Sequence, residues 1–322
     1  MLRIAILDDY QRVALQMADW NRLGPDVEIV PFHKHLADPG EAARALADFD
    51  VLVMMRERMP LPRSLIERLP RLRYVVFTGS HSQAIDFAAL AERGIPASRT
   101  GARASPAAAE LTWALVLACA RHIPQEDADM RNGGWQTTVG VGLFGKTLGL
   151  LGLGTLGAII ARYGRAFDMN VIAWSQNLTD ERAEAAGAKR VSREELFAQA
   201  DILSVHLKLA PRTTGLVGAP EFALMKPTAI LVNTSRGPIV DEAALIEALR
   251  TRRIQMAGLD VFDTEPLPAD HPLRGLGNVV LTPHLGYVTD ESYRIFYSSI
   301  VDNILAWQAG TPINLHAEGP RS

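Results

Sequence analysis

The stretch "TLGLLGLGTLGAIIARYGRAF" (147–167) places three glycines in the spacing G-x-G-x-x-G. An apolar run typical of a buried strand precedes them, and apolar residues at helical spacing follow. In such a turn the first glycine permits the tight bend, the second lets a ligand approach the backbone, and the third lets the helix pack against the strand. The helix N-terminus then faces the ligand and favours negative charge. The stretch therefore predicts a parallel α/β domain that binds a dinucleotide pyrophosphate, through Gly152, Gly154, Thr155, Leu156 and Gly157.

The end of the next predicted strand bears on which dinucleotide is bound. An NAD site usually carries Asp or Glu about 20 residues after the turn, where the carboxylate binds the ribose diol. Here the run "VIAWSQNLT" (171–179) offers Ser175, Gln176 and Asn177, with neither a carboxylate to repel a 2′-phosphate nor an arginine to bind it. NAD and NADP both remain open. His206, in "DILSVHL" (201–207), is also predicted to contact the cofactor, and no metal site is predicted.

Length and composition narrow the class of protein. A chain of 322 residues is long enough for two domains, and 48% hydrophobic with 21% charged residues is typical of a soluble globular protein. The net charge of −3 does not favour a nucleic-acid partner. The sole cysteine, Cys119, excludes an internal disulfide and lies in an apolar run typical of a core. No segment resembles a membrane span or a signal peptide, so we expect a cytoplasmic protein without a membrane partner.

Short apolar runs alternate with helical patterns along most of the chain, which is typical of parallel sheets covered by helices. A long helix is predicted over 104–123, with Ser105 at the N-cap, Pro106 at the first helical position and Pro124 after its end. A final helix is predicted around 290–309. The predicted strands lie in "RIAIL" (3–7), "VEIVPF" (27–32), "DVLVMM" (50–55), "YVVF" (74–77), "IPASRT" (95–100), "TLGLLGLG" (147–154), "NVIAWS" (170–175), "DILSVHL" (201–207), "AILVNTS" (229–235), "MAGLDVF" (256–262) and "VVLTPH" (279–284).

Three ionisable residues follow three successive strands of the second series: Arg236, Glu265 and His284. Ligands of open α/β sheets bind beyond the carboxyl ends of the strands, so these side chains are expected to converge on one cleft. Arginine suits a carboxylate, and histidine suits proton transfer near neutral pH. Each residue also has a structural interpretation: a surface charge, a turn residue before Pro266, or a hydrogen-bonded histidine near the core.

With these residues in place, the chain resembles the D-isomer-specific 2-hydroxyacid dehydrogenase family over nearly its whole length. The resemblance lies in "GKTLGLLGLGTLG" (145–157), "LVNTSRGPIVDEAAL" (231–245), "AGLDVFDTEPL" (257–267) and "LTPHLGYVT" (281–289). It implies two doubly wound parallel-sheet domains: a Rossmann cofactor domain, 103–287, inserted in a flavodoxin-like substrate domain, 1–102 and 288–322. It also implies a homodimer that acts on small 2-oxo or D-2-hydroxy acids, with Arg236, Glu265 and His284 as its catalytic group.

The resemblance assigns further residues to the cofactor and the substrate. Asp260 is expected near the nicotinamide amide, with Thr234 and Ser235 in the loop beside it. The segment "FTGSHSQAID" (77–86) resembles the loop whose backbone N–H groups bind the substrate carboxylate, although its usual glycine-rich form is altered here. The residues expected to bind substrate are Arg56, Gly79, Ser80 and His81, together with Arg236; for Arg56 a solvated loop arginine is an equal alternative.

Two rival functions remain at this point. Relatives that oxidise formate or phosphite use the same cofactor fold. A dinucleotide-sensing binding protein, like the transcriptional corepressors that share the fold, can retain the Arg/Glu/His set. Turnover of 2-oxo acids distinguishes all three.

Overall fold

The computed structural model describes residues 1–101 and 106–316. The chain divides into two compact units. Unit 1 comprises Met1–Arg103 and Thr289–Ser322, and unit 2 is the continuous segment Ala104–Val288. Within the described ranges, no helix is both long and apolar enough to cross a bilayer.

Each unit is built on a parallel sheet, as the alternation of strand and helix patterns predicts. The strands of unit 1 are β1 Leu2–Ile6, β2 Val27–Pro31, β3 Val51–Met54, β4 Tyr74–Phe77 and β5 Ala97–Arg99. Those of unit 2 are β6 Thr147–Leu151, β7 Asn170–Trp174, β8 Lys189–Arg190, β9 Ile202–Val205, β10 Ile230–Asn233, β11 Met256–Leu259 and β12 Val279–Leu281.

The helices alternate with these strands along the chain. They are α1 Pro39–Leu46, α2 Arg63–Ile66, α3 Phe87–Glu92, α4 Ala107–Ala120, α5 Ile123–Arg131, α6 Thr155–Ala166, α7 Asp180–Ala185, α8 Arg193–Gln199, α9 Ala219–Leu224, α10 Glu242–Arg250 and α11 Asp290–Gln308. Short 3₁₀ turns occur at Ala14–Gln16, Trp20–Leu23, Gly237–Ile239 and Pro272–Gly275.

The order of the strands identifies both sheets as doubly wound. Unit 1 has the order β2-β1-β3-β4-β5, which is that of flavodoxin-like folds. Unit 2 has the order β12-β11-β10-β9-β6-β7-β8, so the chain reverses direction across the sheet between β6 and β9. This is the Rossmann arrangement, with one added edge strand, and it confirms the expected fold class. The crevice for a ligand is expected at the carboxyl ends of β6 and β9, where the glycine turn lies.

The region of the long predicted helix differs in detail from the sequence prediction. The helix α4 begins at Ala107, with Pro106 at its N-cap position rather than inside the first turn. Ser105, the predicted N-cap, lies outside the described residues. Pro124 does not end the helical region, because it lies in the first turn of a further helix, α5. Proline is tolerated there since the first N–H groups of a helix have no partner within it, and His122, at φ 51°, separates the two helices.

Candidate functional site

The glycine turn after β6 leaves open space at the N-terminus of α6. Gly152 adopts φ 105°, and a Cβ atom there would lie 2.7 Å from the carbonyl oxygen of His206. A Cβ atom at Gly157 would collide with the carbonyl oxygen of Gly152. Gly154 is different, because a Cβ atom there would meet nothing within 4 Å, and no side chain caps the helix that it starts. Two glycines thus shape the turn, and the third leaves no side chain beside a helix N-terminus, which favours negative charge.

The residues after β7 lie at the same edge of the sheet. Gln176 and Asn177 are exposed and Ser175 is half-buried. The guanidinium of Arg182, on α7, donates a hydrogen bond to the carbonyl oxygen of Asn177 at 3.4 Å. A positively charged side chain, that of Arg182, thus lies on the helix next to Asn177. The sequence analysis considered only the strand end and did not identify it.

His206 borders the turn from the end of β9. Its Nε2 atom lies 2.9 Å from the hydroxyl of Ser204, and burial lowers the pKa of the imidazole to about 4. The ring is therefore neutral near physiological pH. Its contribution next to the turn is shape and hydrogen bonding rather than positive charge.

The loop that carries Arg236 is held by the last residue of β10. Asn233 is buried; its side-chain nitrogen donates to the carbonyl oxygen of Arg236, and its side-chain oxygen accepts from the N–H of Ser235, both at 3.0 Å. The guanidinium of Arg236 donates to the carbonyl oxygen of Ser235 at 2.8 Å. The hydroxyl of Ser235 donates to the carbonyl oxygen of Leu207. These hydrogen bonds help to set the shape of the loop, and the sequence analysis did not identify Asn233 as part of it.

Glu265 and His284 form a direct pair. The Nδ1 atom of His284 lies 2.6 Å from Oε2 of Glu265, and the side chains are 22% and 29% exposed. The other oxygen of Glu265 accepts the N–H of Phe262 at 3.0 Å, within the same turn. The ring of Tyr287 meets that of His284 edge to face, with centroids 5.5 Å apart. Because Nδ1 is engaged by the carboxylate, Nε2 is the ring nitrogen on the opposite side from Glu265.

Asp260 fixes the segment on which His284 lies. Its side chain is fully buried and accepts hydrogen bonds from the hydroxyl of Thr282 and from the N–H groups of Leu285 and Gly286, at 2.7, 2.7 and 2.9 Å. Burial raises the pKa of this carboxyl above its ordinary value, although the three donors oppose the shift. The three donors lie before and after His284 in the chain. They therefore hold this histidine in place although its φ is 54°.

Thr234 is anchored from another element. Its hydroxyl lies 2.7 Å from that of Thr112 on α4. The loop after β10 is therefore tied to the helix that packs on the sheet. Thr112 had no signal in the sequence that distinguishes it from other polar residues of the helix.

Apart from Arg236, which is in unit 2, the residues predicted to bind substrate lie in unit 1, after β3 and β4. Gly79 adopts φ 101°, its N–H donates to the hydroxyl of Thr100 at 3.0 Å, and a Cβ atom there would collide with the guanidinium of Arg56. His81 follows, with its ring centroid 6.1 Å from that of His316 near the chain end. His316 is far away in sequence, and no motif signals its position beside this loop.

The structure pairs Glu265 with His284 directly, and it places Arg236 after β10 at the same end of the sheet, because β10, β11 and β12 are neighbours and run in the same direction. The glycine turn follows β6 in the same sheet. The carboxyl ends of one sheet thus carry a histidine bound to a carboxylate, a guanidinium and an open helix N-terminus. Such an arrangement can bind a dinucleotide and an anion and can move a proton.

Comparison with known proteins gives a consistent result. The sequence profile of the D-isomer specific 2-hydroxyacid dehydrogenase NAD binding domain matches residues 113–286. The glyoxylate reductase of Aeropyrum pernix is 41% identical over 261 residues, which are 78% of each chain. The D-3-phosphoglycerate dehydrogenase of Methanocaldococcus jannaschii is 39% identical over 82% of this chain. The matched part is about half of that relative, 51% of its length.

A solved structure covers both units. The crystal structure of a putative D-3-phosphoglycerate dehydrogenase oxidoreductase from Ralstonia solanacearum superposes with a TM-score of 0.90 and 39% sequence identity. The match covers 98% of this chain and 97% of that one.

Proposed function

This chain belongs to the D-isomer-specific 2-hydroxyacid dehydrogenase family, and we propose that it interconverts a small 2-oxo acid and the corresponding D-2-hydroxy acid. The dinucleotide-binding part of the family lies within unit 2, so NAD or NADP is the cofactor. The observation that carries the proposal is the 2.6 Å contact between His284 and Glu265, at the same sheet edge as Arg236 and the glycine turn.

The nicotinamide, when bound, supplies or accepts the hydride at the second carbon of the substrate. The open space at Gly154 and the N-terminus of α6 hold the pyrophosphate. Ser175, Gln176 and Asn177 would meet the adenosine ribose with hydroxyl and amide groups, and Asp260 and Thr234 would hold the nicotinamide. These residues thus orient the cofactor. Anion binding and proton transfer are the roles of Arg236, Glu265 and His284.

Arg236 binds the carboxylate of the substrate and polarises the neighbouring carbonyl. A guanidinium binds a carboxylate through two parallel hydrogen bonds, which fixes the orientation of the carbonyl as well as the position of the acid. Because charge develops on that oxygen during reduction, the same cation stabilises the transition state. Asn233 donates to the carbonyl oxygen of Arg236 and accepts the N–H of Ser235, and these bonds hold the loop backbone still while Arg236 does so.

His284 donates the proton that the developing oxyanion requires. Glu265 binds Nδ1 and stabilises the imidazolium, so Nε2 is the atom that gives up the proton during reduction and takes it back during oxidation. The bond to Phe262 keeps the carboxylate pointed at the ring.

In unit 1, Arg56, Ser80 and His81 are assigned to substrate binding. The N–H of Gly79 is bonded to Thr100, so the backbone donors for a carboxylate in this loop are those of Ser80 and His81. Relatives named glyoxylate reductase and hydroxypyruvate reductase support a substrate with a short side chain.

The test is oxidation of NADH and of NADPH in the presence of glyoxylate, hydroxypyruvate, pyruvate and bulkier 2-oxo acids. We expect turnover with at least one short 2-oxo acid, and turnover lower by about 10²–10⁴ in the His284→Ala protein, which serves as the control. Tight dinucleotide binding without turnover of any 2-oxo acid indicates a sensor instead. Turnover of only formate or phosphite indicates a formate- or phosphite-oxidising relative with the same fold.

We also propose that the protein is a cytoplasmic homodimer. Large apolar side chains are exposed around α5 and the segment after it, including Trp135 at 73%, Val139 at 91% and Phe144 at 80%. Several large apolar side chains exposed in one segment of the chain suit an interaction site. Light scattering of the purified protein measures the mass directly, and Trp135→Glu is expected to produce monomers.

A further inference from the structure

The loops that carry Arg236 and Glu265 meet at a backbone contact. A Cβ atom at Gly237 would collide with the carbonyl group of Phe262 and lie 2.6 Å from the backbone nitrogen of Asp263. Only glycine allows the two backbones to lie this close. The residue after Arg236 is therefore pressed against the turn whose N–H binds Glu265.

A second contact joins the same two segments. The Oε1 atom of Glu242, the first residue of α10, lies 3.0 Å from Nε2 of His271. The Nδ1 atom of His271 accepts the N–H of Leu273 at 3.4 Å, so Nε2 carries the proton and donates it to the carboxylate. The two side chains are 22% and 15% exposed, which limits competition from water.

A small cavity separates the two contacts. Its lining includes Asn233, Gly237, Glu242, Phe262, Asp263 and Leu273. Asn233 holds the Arg236 loop on one side, and Phe262 holds Glu265 on the other. Because space remains between Asn233 and Phe262, packing alone does not fix the distance between the Arg236 loop and the turn of Glu265 on this side.

Acidic side chains lie around the contact between Glu242 and His271. Burial, together with the carboxylates of Glu242 and Asp241, raises the pKa of Asp263. Asp241 is engaged as the N-cap of α10, where it accepts the N–H of Ala244 at 2.9 Å. Without the N–H donor of His271, no hydrogen bond from that residue offsets the repulsion between the carboxylate of Glu242 and these acidic neighbours.

We propose that the Glu242–His271 hydrogen bond is a positioning contact, which holds the segment 262–271, and with it Glu265, in register with the Arg236 loop. This inference rests on the proposed function, because it assigns Glu242 and His271 to the orientation of the proposed catalytic group. Neither residue touches the reacting atoms. Both act through Glu265, whose direction toward His284 depends on where its turn lies.

The first experiment measures kcat, KM and NADH affinity for Glu242→Ala, with Glu247→Ala as the matched control on the exposed face of the same helix. We expect kcat to fall by about 10-fold in Glu242→Ala, because misplacement by about 1 Å of a group in an active site costs up to about 10²-fold. NADH affinity should stay within about twofold, since the glycine turn is untouched. Glu242→Gln keeps an oxygen that accepts the Nε2 proton, so it should retain most of the activity. Equal kcat in the wild type, Glu242→Ala and Glu247→Ala overturns the inference.

A double-mutant cycle separates positioning from general destabilisation. If Glu242 acts through Glu265, adding Glu242→Ala to Glu265→Gln should lower kcat by less than about twofold further. A loss equal to the product of the two single effects means that Glu242 acts independently, and it contradicts the proposal. The melting temperature of each variant is measured so that only folded proteins are compared.

A measurement without turnover keeps the two proposals apart. The proton on Nδ1 of His284, bound to Glu265, gives a low-field NMR resonance that is identified by its loss in His284→Gln. We expect this resonance to shift or broaden in Glu242→Ala and to stay unchanged in Glu247→Ala. An unchanged resonance in both variants overturns the positioning role, whereas failure of the wild type to reduce any 2-oxo acid overturns the proposed function alone.

Discussion

Glu265 binds His284 with one oxygen and its own turn with the other. Oε2 lies 2.6 Å from Nδ1 of the ring, and Oε1 accepts the N–H of Phe262 at 3.0 Å. Neither oxygen can be exchanged for an NH₂ group without consequence. An NH₂ group facing Phe262 would oppose one donor with another, so in a glutamine the NH₂ group must face the ring.

Glu265→Gln should therefore lose reduction activity at a lower pH than the wild type. The substitution removes the negative charge and also turns a donor toward Nδ1, and both changes disfavour the imidazolium that donates the proton. The measurement is the pH dependence of kcat/KM for reduction of the best 2-oxo acid. An alkaline limb that coincides with the wild-type curve would show that Glu265 does not tune His284.

His284→Ala and Arg236→Ala should separate proton transfer from anion binding. Loss of the histidine should lower kcat by about 10²–10⁴, the usual contribution of a positioned acid or base, with little change in KM. Loss of the guanidinium should raise KM for the 2-oxo acid and also lower kcat. Dinucleotide affinity, measured by fluorescence titration, serves as the control for both variants. If both proteins show the same pattern of kcat and KM, the assignment of separate roles is wrong.

Gly152→Ala and Gly154→Ala should differ sharply although they lie two residues apart. An alanine at 152 requires φ 105° and places Cβ 2.7 Å from the carbonyl oxygen of His206, so the protein should be destabilised by about 1–3 kcal/mol. An alanine at 154 meets no protein atom within 4 Å, so stability should hold while dinucleotide affinity falls. Urea unfolding and NADH titration measure the two effects. Undiminished NADH binding by Gly154→Ala would place the pyrophosphate elsewhere.

Asp260→Asn should destabilise the segment that carries His284. An asparagine turns an NH₂ group toward one of the donors from Thr282, Leu285 or Gly286, and a buried donor without an acceptor costs about 1–3 kcal/mol.

The pH dependence of stability provides a second check on Asp260. Burial raises its pKa in the folded protein, so its contribution to stability is present below the ordinary carboxyl pKa. That contribution is lost as the pH rises through the raised pKa. The stability advantage of the wild type over Asp260→Asn should therefore narrow across that range. Unfolding curves at several pH values test this, and an advantage that grows with pH refutes the assignment.

Ser175→Asp should shift cofactor preference toward NADH. Ser175, Gln176 and Asn177 offer polar groups to either a ribose diol or a phosphate, whereas a carboxylate binds the diol and repels a 2′-phosphate. The ratio of kcat/KM for NADH and NADPH measures the change. Replacement of Ser192, the N-cap of α8, by Asp is a control that adds the same charge elsewhere. An unchanged or larger preference for NADPH in the Ser175 variant would show that another residue meets the ribose.

The sequence by itself determined the fold class and predicted the residues of the candidate site. Gly152, Gly154 and Gly157 act within one strand-to-helix turn, so their spacing is sufficient to predict that turn. Arg236 and His284 each follow a parallel strand directly, and parallel strands end at a common edge. Local pattern and topology together therefore indicate the convergence of these side chains without any knowledge of distances.

Only the tertiary structure decided how the site is held. The hydrogen bond between Thr112 and Thr234, the close approach of Gly237 to Phe262 and the contact between Glu242 and His271 join segments that no periodicity relates. A polar residue after a strand has the same signal in sequence whether it binds a ligand or clamps a neighbouring loop. Its partner depends on strand register and on the packing of loops against one another, and these are fixed by contacts between residues far apart in the chain.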